Sequence, residues 1–183
     1  NEEVLRWYDH WLKGMDTGIM DEDPIRFFVN GAEEFRFEKE WPLARTEWTK
    51  FHLRRWEGLS REPDDAIGKP DAWVQQPPDE TLNPNFIQYL SDPLPEAMEL
   101  TGPAAFYFHA SIDQPDATFI VSVRDVAPSG KEVELTKGFL KASHRELDDA
   151  RSLPYEPYHP HLKPEPVTPG DINEYAISLA PLS

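Results

Sequence analysis

The 183 residues carry 34 Asp and Glu against 18 Lys and Arg, a formal net charge of −16, with no cysteine among them. A surface this acidic repels phosphate backbones and anionic membranes, and without thiols there is no disulfide framework, thiolate nucleophile or cysteine-ligated zinc. Ten Phe, six Tyr and six Trp in a 39% hydrophobic chain are enough for one substantial core, and no run approaches the roughly 18 apolar residues of a membrane span.

The first segment reads as a helix. Val4, Leu5, Tyr8, Trp11 and Leu12 recur at helical spacing, Glu2 and Arg6 form an i,i+4 pair, and Gly14 is the expected stop. Its aromatic face needs a partner, and no second helix follows. Beyond the acidic turn Asp21-Glu22-Asp23-Pro24 the period changes to two. Ile25, Phe27 and Val29 alternate with Arg26, Phe28 and Asn30 up to Gly31, and Phe35-Arg36-Phe37 suggests a second short strand or bulge.

Alternation returns from Thr46 to Trp56. This stretch holds the basic run Lys50-Phe51-His52-Leu53-Arg54-Arg55-Trp56, which reads as a strand with alternating faces rather than a nucleic-acid site. Residues 57–85, rich in Pro, Asp, Gln and Asn, read as a long loop. The clearest β region runs from Leu100 to Ala142. Phe106, Phe108 and Ala110 share one face, and so do Phe119, Val121 and Val123. A turn at Pro128-Ser129-Gly130 leads to Val133 and Leu135, and Phe139-Leu140-Lys141-Ala142 closes the group. Six prolines within residues 154–169 predict an extended crossover, and Tyr175, Ile177 and Leu179 predict a last strand. Short strands between Pro/Gly turns argue for an antiparallel sandwich or barrel.

Chemistry-bearing motifs are scarce. Gly58-Leu59-Ser60-Arg61-Glu62 begins like a nucleophile elbow but lacks the second glycine and the strand–helix context. The nine glycines form neither phosphate-binding pattern. His159-Pro160-His161 superficially resembles a metal pair, yet a catalytic zinc wants three rigid ligands. His10, His52, His109 and His144 are dispersed, and Asp21-Glu22-Asp23, Asp64-Asp65 and Asp148-Asp149 read as solvated turns. No catalytic residue, cofactor-binding residue or metal ligand is assigned.

Trp7-Tyr8-Asp9-His10-Trp11-Leu12-Lys13-Gly14 resembles the segment that ends the α/β-hydrolase domain in the X-Pro dipeptidyl-peptidase and cocaine-esterase-like (CocE/NonD) hydrolases. Pro24 to Gly31 and Glu40-Trp41-Pro42 look like that family's entry into its second domain. Leu100-Thr101-Gly102-Pro103, Val121 to Gly130 and Thr136 to Arg145 are similar to its sandwich motifs, in the same order. The resemblance implies an all-β fold: a jelly-roll (galactose-binding-like) antiparallel β-sandwich behind a short N-terminal helix left over from an α/β-hydrolase domain. It implies a boundary at residue 23, with 1–23 ending the hydrolase domain and 24–183 forming a sandwich incomplete at its C-terminus.

In that family the nucleophile, the acid and the triad histidine lie upstream, so His10 is not a catalytic histidine. What the resemblance implies is a non-catalytic domain of a serine hydrolase that packs on the catalytic domain and helps shape its pocket. Trp7, Tyr8 and Trp11 would be the interdomain contact. The alternatives are a carbohydrate-binding module using Trp41, Trp48, Trp56 and Trp73, or an oligomerisation scaffold. Neither nucleic acid, membrane nor cofactor is expected as a partner; a homo-oligomer stays open. Absence of cysteine favours the cytoplasm, and opening on Asn1 rather than Met suggests that an upstream portion is missing.

Overall fold

The structure is a computed structural model that describes residues 2–64, 68–75 and 85–183. Parts of the predicted 57–85 loop, and Asp65 of the Asp64-Asp65 turn, lie outside the described residues. The chain divides into two compact units, Asn1–Thr46 with Leu100–Ser183, and Glu47–Glu99.

In the larger unit, α1 (Glu2–Lys13) ends where sequence places it: Gly14 adopts φ +67, a left-handed conformation that costs a glycine little. The Gly14 amide bonds to the His10 carbonyl at 3.1 Å. The expected Glu2–Arg6 pair does not form. Arg6 instead reaches the Thr17 carbonyl (3.1 Å) and the Glu22 carboxylate (2.5 Å), and Lys13 pairs with Asp9 at i,i+4 (2.6 Å). A single turn of 3₁₀ helix, Ile19–Asp21, follows.

Strands β1 (Ile25–Val29) and β2 (Glu34–Glu38) form an antiparallel hairpin with Phe28 opposite Phe35. Those two rings meet edge to face with centroids 5.1 Å apart, and the Arg26 guanidinium lies 4.1 Å over Phe35. Arg26 also pairs with Glu3, tying the hairpin to α1.

The core lies between two antiparallel pairs. They are made of β3 (Gly102–Ala110), β4 (Thr118–Val126), β5 (Glu132–Lys141) and β6 (Asn173–Leu182). β3 pairs with β6, and β4 with β5. Phe106, Phe108 and Ala110 from β3 and Phe119, Val121 and Val123 from β4 pack on buried Leu140, Tyr175, Ile177 and Leu179. Each inward set has period two, so the predicted faces hold. The described chain is thus strand-rich with one short α-helix, an all-β sandwich.

Strand β5 runs unbroken from the returning residues Val133 and Leu135 through Phe139 and Leu140. Its buried residues are Thr136, Gly138 and Leu140, whereas Val133, Leu135 and Phe139 are exposed. The reason is proximity to β6: the Thr136 hydroxyl donates to the Ala180 carbonyl at 2.5 Å, and Gly138 faces Ser178 and Ile177 with no space for a side chain.

Between β5 and β6, the proline-rich crossover forms no strand beyond an isolated bridge from Leu153 to Glu156. It is held by backbone bonds from Glu165 to Ser143 (2.7 Å), Val167 to Pro115 (2.8 Å) and Gly170 to Ile112 (2.9 Å), and Val167 is buried in the core.

The Glu47–Glu99 unit is built differently from the prediction. Of the alternating stretch 46–56 only His52–Arg54 (β7) is strand, and Gly58–Ser60 (β8), expected to be loop, pairs with it antiparallel. The two-residue strand Leu90–Ser91 (β9) adds to β8 in parallel. Register needs backbone partners on both sides, and here one comes from far along the chain. Local alternation could not show it.

Candidate interdomain surface

Helix α1 has no buried residue. Trp7, Tyr8 and Trp11 are 48%, 52% and 57% exposed, and Val4, Leu5 and Leu12 are each more than half exposed. The Trp7 and Trp11 rings sit 5.8 Å apart, and His10 meets Trp11 edge-on at 5.1 Å. Beside them Glu3, Val4, Trp7, Tyr8 and Ile19 line an open apolar groove of about 350 Å³. The three candidate residues therefore do share one surface, kept in place by the Arg6–Thr17–Glu22 contacts and the Arg26–Glu3 pair. Contiguous exposed aromatics of this kind mark contact surfaces more often than isolated ones do.

The weaker candidates find ordinary roles. Ser60 accepts a hydrogen bond from the Glu62 amide (3.1 Å), a local turn contact, and sits at the end of β8 rather than on a strand–helix elbow. The Trp41 ring lies edge-on to Phe27, 5.7 Å away, within the larger unit. Trp48, Trp56 and Trp73 belong to the other unit.

His159 and His161 do come together, with ring centroids 5.6 Å apart, and His144 joins them 5.4 Å from His161. Sequence spacing gave no sign of that third ring, because the turn after β5 delivers it. Both ring nitrogens of His159 face backbone carbonyls, Glu146 at 2.8 Å and Ala176 at 2.7 Å, so they clamp the crossover to β6. Among the described residues no three His, Asp or Glu side chains are grouped to hold a metal ion. Nor, among them, is any helix long and apolar enough to cross a membrane.

Next to this cluster, Asp116 receives hydrogen bonds from the Ser143 amide (3.0 Å) and hydroxyl (2.8 Å) and pairs with Lys141 (3.1 Å). Burial by itself would raise the Asp116 carboxyl, but the bonds from Ser143 and Lys141 outweigh it and hold it below the ordinary value of 3.8. For His161, burial and then the neighbouring His159 and His144 rings push the imidazole below 6.5.

Both shifts favour the folded state at neutral pH, with a definite sign. A depressed group binds fewer protons folded than unfolded. The His161 contribution is therefore complete above 6.5 and drains as pH falls through its lower folded value; the Asp116 contribution drains below 3.8. Urea melts from pH 8 to pH 4 are expected to show stability falling with acid. His161→Asn, which tolerates the residue's left-handed backbone (φ +53), should remove the step that begins below pH 6.5. An unchanged pH profile in that variant would rule out His161 as its source.

Residues 17–183 match the family described as the X-Pro dipeptidyl-peptidase C-terminal non-catalytic domain, and the chain belongs to it. A Mycobacterium bovis protein named as a serine esterase is 28% identical over 209 residues, covering 99% of this chain and 33% of that protein. The cocaine esterase of a Rhodococcus species is 22% identical over 175 residues, covering 76% of this chain and 30% of the esterase. A solved CocE/NonD family hydrolase from Staphylococcus aureus has the same fold, with a TM-score of 0.78 at 20% identity over 99% of this chain and 34% of its own. The chain spans about a third of the length of the relatives it matches.

Proposed function

We propose that the chain is the non-catalytic β-sandwich domain of a serine hydrolase of the acyl-esterase or X-Pro dipeptidyl-peptidase type. In this reading it packs on an α/β-hydrolase catalytic domain and helps shape the substrate pocket. Residues 1–23 close the hydrolase domain, and 24–183 form a sandwich with jelly-roll strand order.

The observation that carries the reading is α1, a helix with no buried residue whose Trp7, Tyr8 and Trp11 share one open surface. Left in water, such a face loses the stabilisation of about 25 cal/mol per Å² that burial would supply. Membership of a family described as non-catalytic, and a length about a third of the relatives', support the hydrolase domain as its occupant. The hydrolase domain would bring the nucleophile and the oxyanion hole, and the bond would be cleaved through an acyl-serine intermediate.

The test compares this chain with a longer polypeptide carrying the hydrolase domain, on a p-nitrophenyl ester and on Ala-Pro-p-nitroanilide. Turnover is expected only from the longer protein. Turnover by the isolated chain that survives purification, and that a serine-directed phosphonate abolishes, would sink the proposal. Activity in neither would favour a binding module or scaffold.

A further inference from the structure

The basic run around Trp56 has found no role so far, and its geometry is unusual. The turn between β7 and β8 places Trp56 at φ +64 and Glu57 at φ +57, two consecutive left-handed residues of which neither is glycine. Hairpin turns of this kind normally recruit Asn or Gly, because a bulky side chain there is strained. Yet the turn is braced on every side. The backbone amide and Nε of Arg55 both bond to the Asp64 carboxylate (3.3 and 3.1 Å), and the Leu90 amide bonds to the Glu57 carbonyl (2.8 Å). The Arg55 stem also lies so close to Gly68 that a Cβ there would come within 2.9 Å of it.

The product of this strain is Trp56 held 91% exposed, the most open of the large hydrophobic side chains described. It makes no ring contact with any described residue, and Arg54 beside it has no carboxylate partner among them. Strain that survives because its surroundings enforce it points to a use. An exposed Trp on a braced backbone turn, next to an Arg with no carboxylate partner among the described residues, has the makeup of a binding hot spot.

We propose that this hairpin tip is a docking pin, with Trp56 entering an apolar pocket on the hydrolase domain and Arg54 meeting an acidic rim. This rests on the function proposed above, which supplies that domain; the two-thirds of the relatives lying outside this chain is where the pocket would be. A sugar is a poorer fit, since a stacking platform uses a broad aromatic face and Trp56 stands alone. A second copy is the competing occupant, tested by raising the concentration of the isolated chain.

Hydroxyl-radical footprinting with mass spectrometry tests this in the longer polypeptide and in the isolated chain at low and high concentration. Oxidation of Trp56 is expected to fall about fivefold or more in the longer protein, as for a side chain passing from solvent to a desolvated pocket. Trp7 and Trp11 serve as the internal reference. If they are protected while Trp56 is oxidised as fast as in the isolated chain, the pin is overturned and the α1 interface stands. If none is protected, both fall. Protection of Trp56 in the isolated chain on raising its concentration makes the occupant a second copy, and protection by added oligosaccharide makes it a sugar; either overturns the proposal.

A Trp56→Gly variant gives a second readout. Glycine relieves the left-handed strain, so the isolated chain should melt no lower than its parent. In the longer protein the same change should restore oxidation of hydrolase-domain residues protected in the parent. Failure to expose any of them would count against the pin.

Discussion

Gly138→Ala is expected to cost the sandwich about 3 kcal/mol, the upper end of the range for overpacking. A methyl group on Gly138 would fall well inside contact distance of the Ser178 carbonyl, 2.8 Å from Ile177 Cγ2 and 3.0 Å from Leu179 Cδ2. The first obstacle is backbone, which cannot rotate away as a side-chain end does. Relief requires β5 and β6 to separate, and that would stretch the Thr136–Ala180 hydrogen bond beside it. Urea unfolding of the variant should give a much lower midpoint with a similar slope, since the surface exposed on unfolding is nearly unchanged. A midpoint within error of the parent would mean that β5 and β6 are not in close contact.

Tyr175 carries the second large effect, and its two substitutions are expected to differ in sign. The residue is fully buried, its ring 5.3 Å from Phe108 and 4.7 Å from Phe119, so it joins the two strand pairs of the core. Tyr175→Ala empties that space and should cost about 3–5 kcal/mol, the range for buried aromatics. The hydroxyl, however, is buried with no hydrogen-bond partner among the described residues. Burial accordingly pushes the phenol above its usual value, against an opposing pull from Arg145. Tyr175→Phe removes an unsatisfied polar atom and keeps the ring, so it should be neutral or stabilising. Calorimetry on both variants checks this; a Phe variant that melts far below the parent would show that the hydroxyl is bonded after all.

How much of this was legible depended on whether one strand face was apolar by itself. Phe106, Phe108 and Ala110, then Phe119, Val121 and Val123, then Tyr175, Ile177 and Leu179 declare their inward faces by alternation, and each was readable. Strand β5 was only partly so. Its inward positions Thr136 and Gly138 look polar or empty because β6 lies too close for anything larger, while the conspicuous Phe139 is 62% exposed.

The surface built from Trp7, Tyr8 and Trp11 was legible because helical spacing alone puts those residues together. The family was legible as well, through six short blocks kept in order. Other features depend on tertiary arrangement. The His144–His159–His161 group depends on where a turn and a crossover meet, and the Trp56 turn on an Asp64 carboxylate that no local rule would pair with Arg55.

The crossover from β5 to β6 has a consequence for how rigidly the last strand is set. Ordering a residue costs about 1–2 kcal/mol of backbone entropy, which stretches without strand or helix usually cannot recover. Six of the positions from 154 to 169 are prolines, whose φ is already fixed before folding, so the unfolded chain has fewer states to lose. Few anchors then suffice, and the backbone bonds from Glu165, Val167 and Gly170 with the His159 clamp are of that number. A glycine–serine segment of equal length would be a tether, letting β6 find its place by diffusion; this one is a strut, and it hands β6 to the core already aimed.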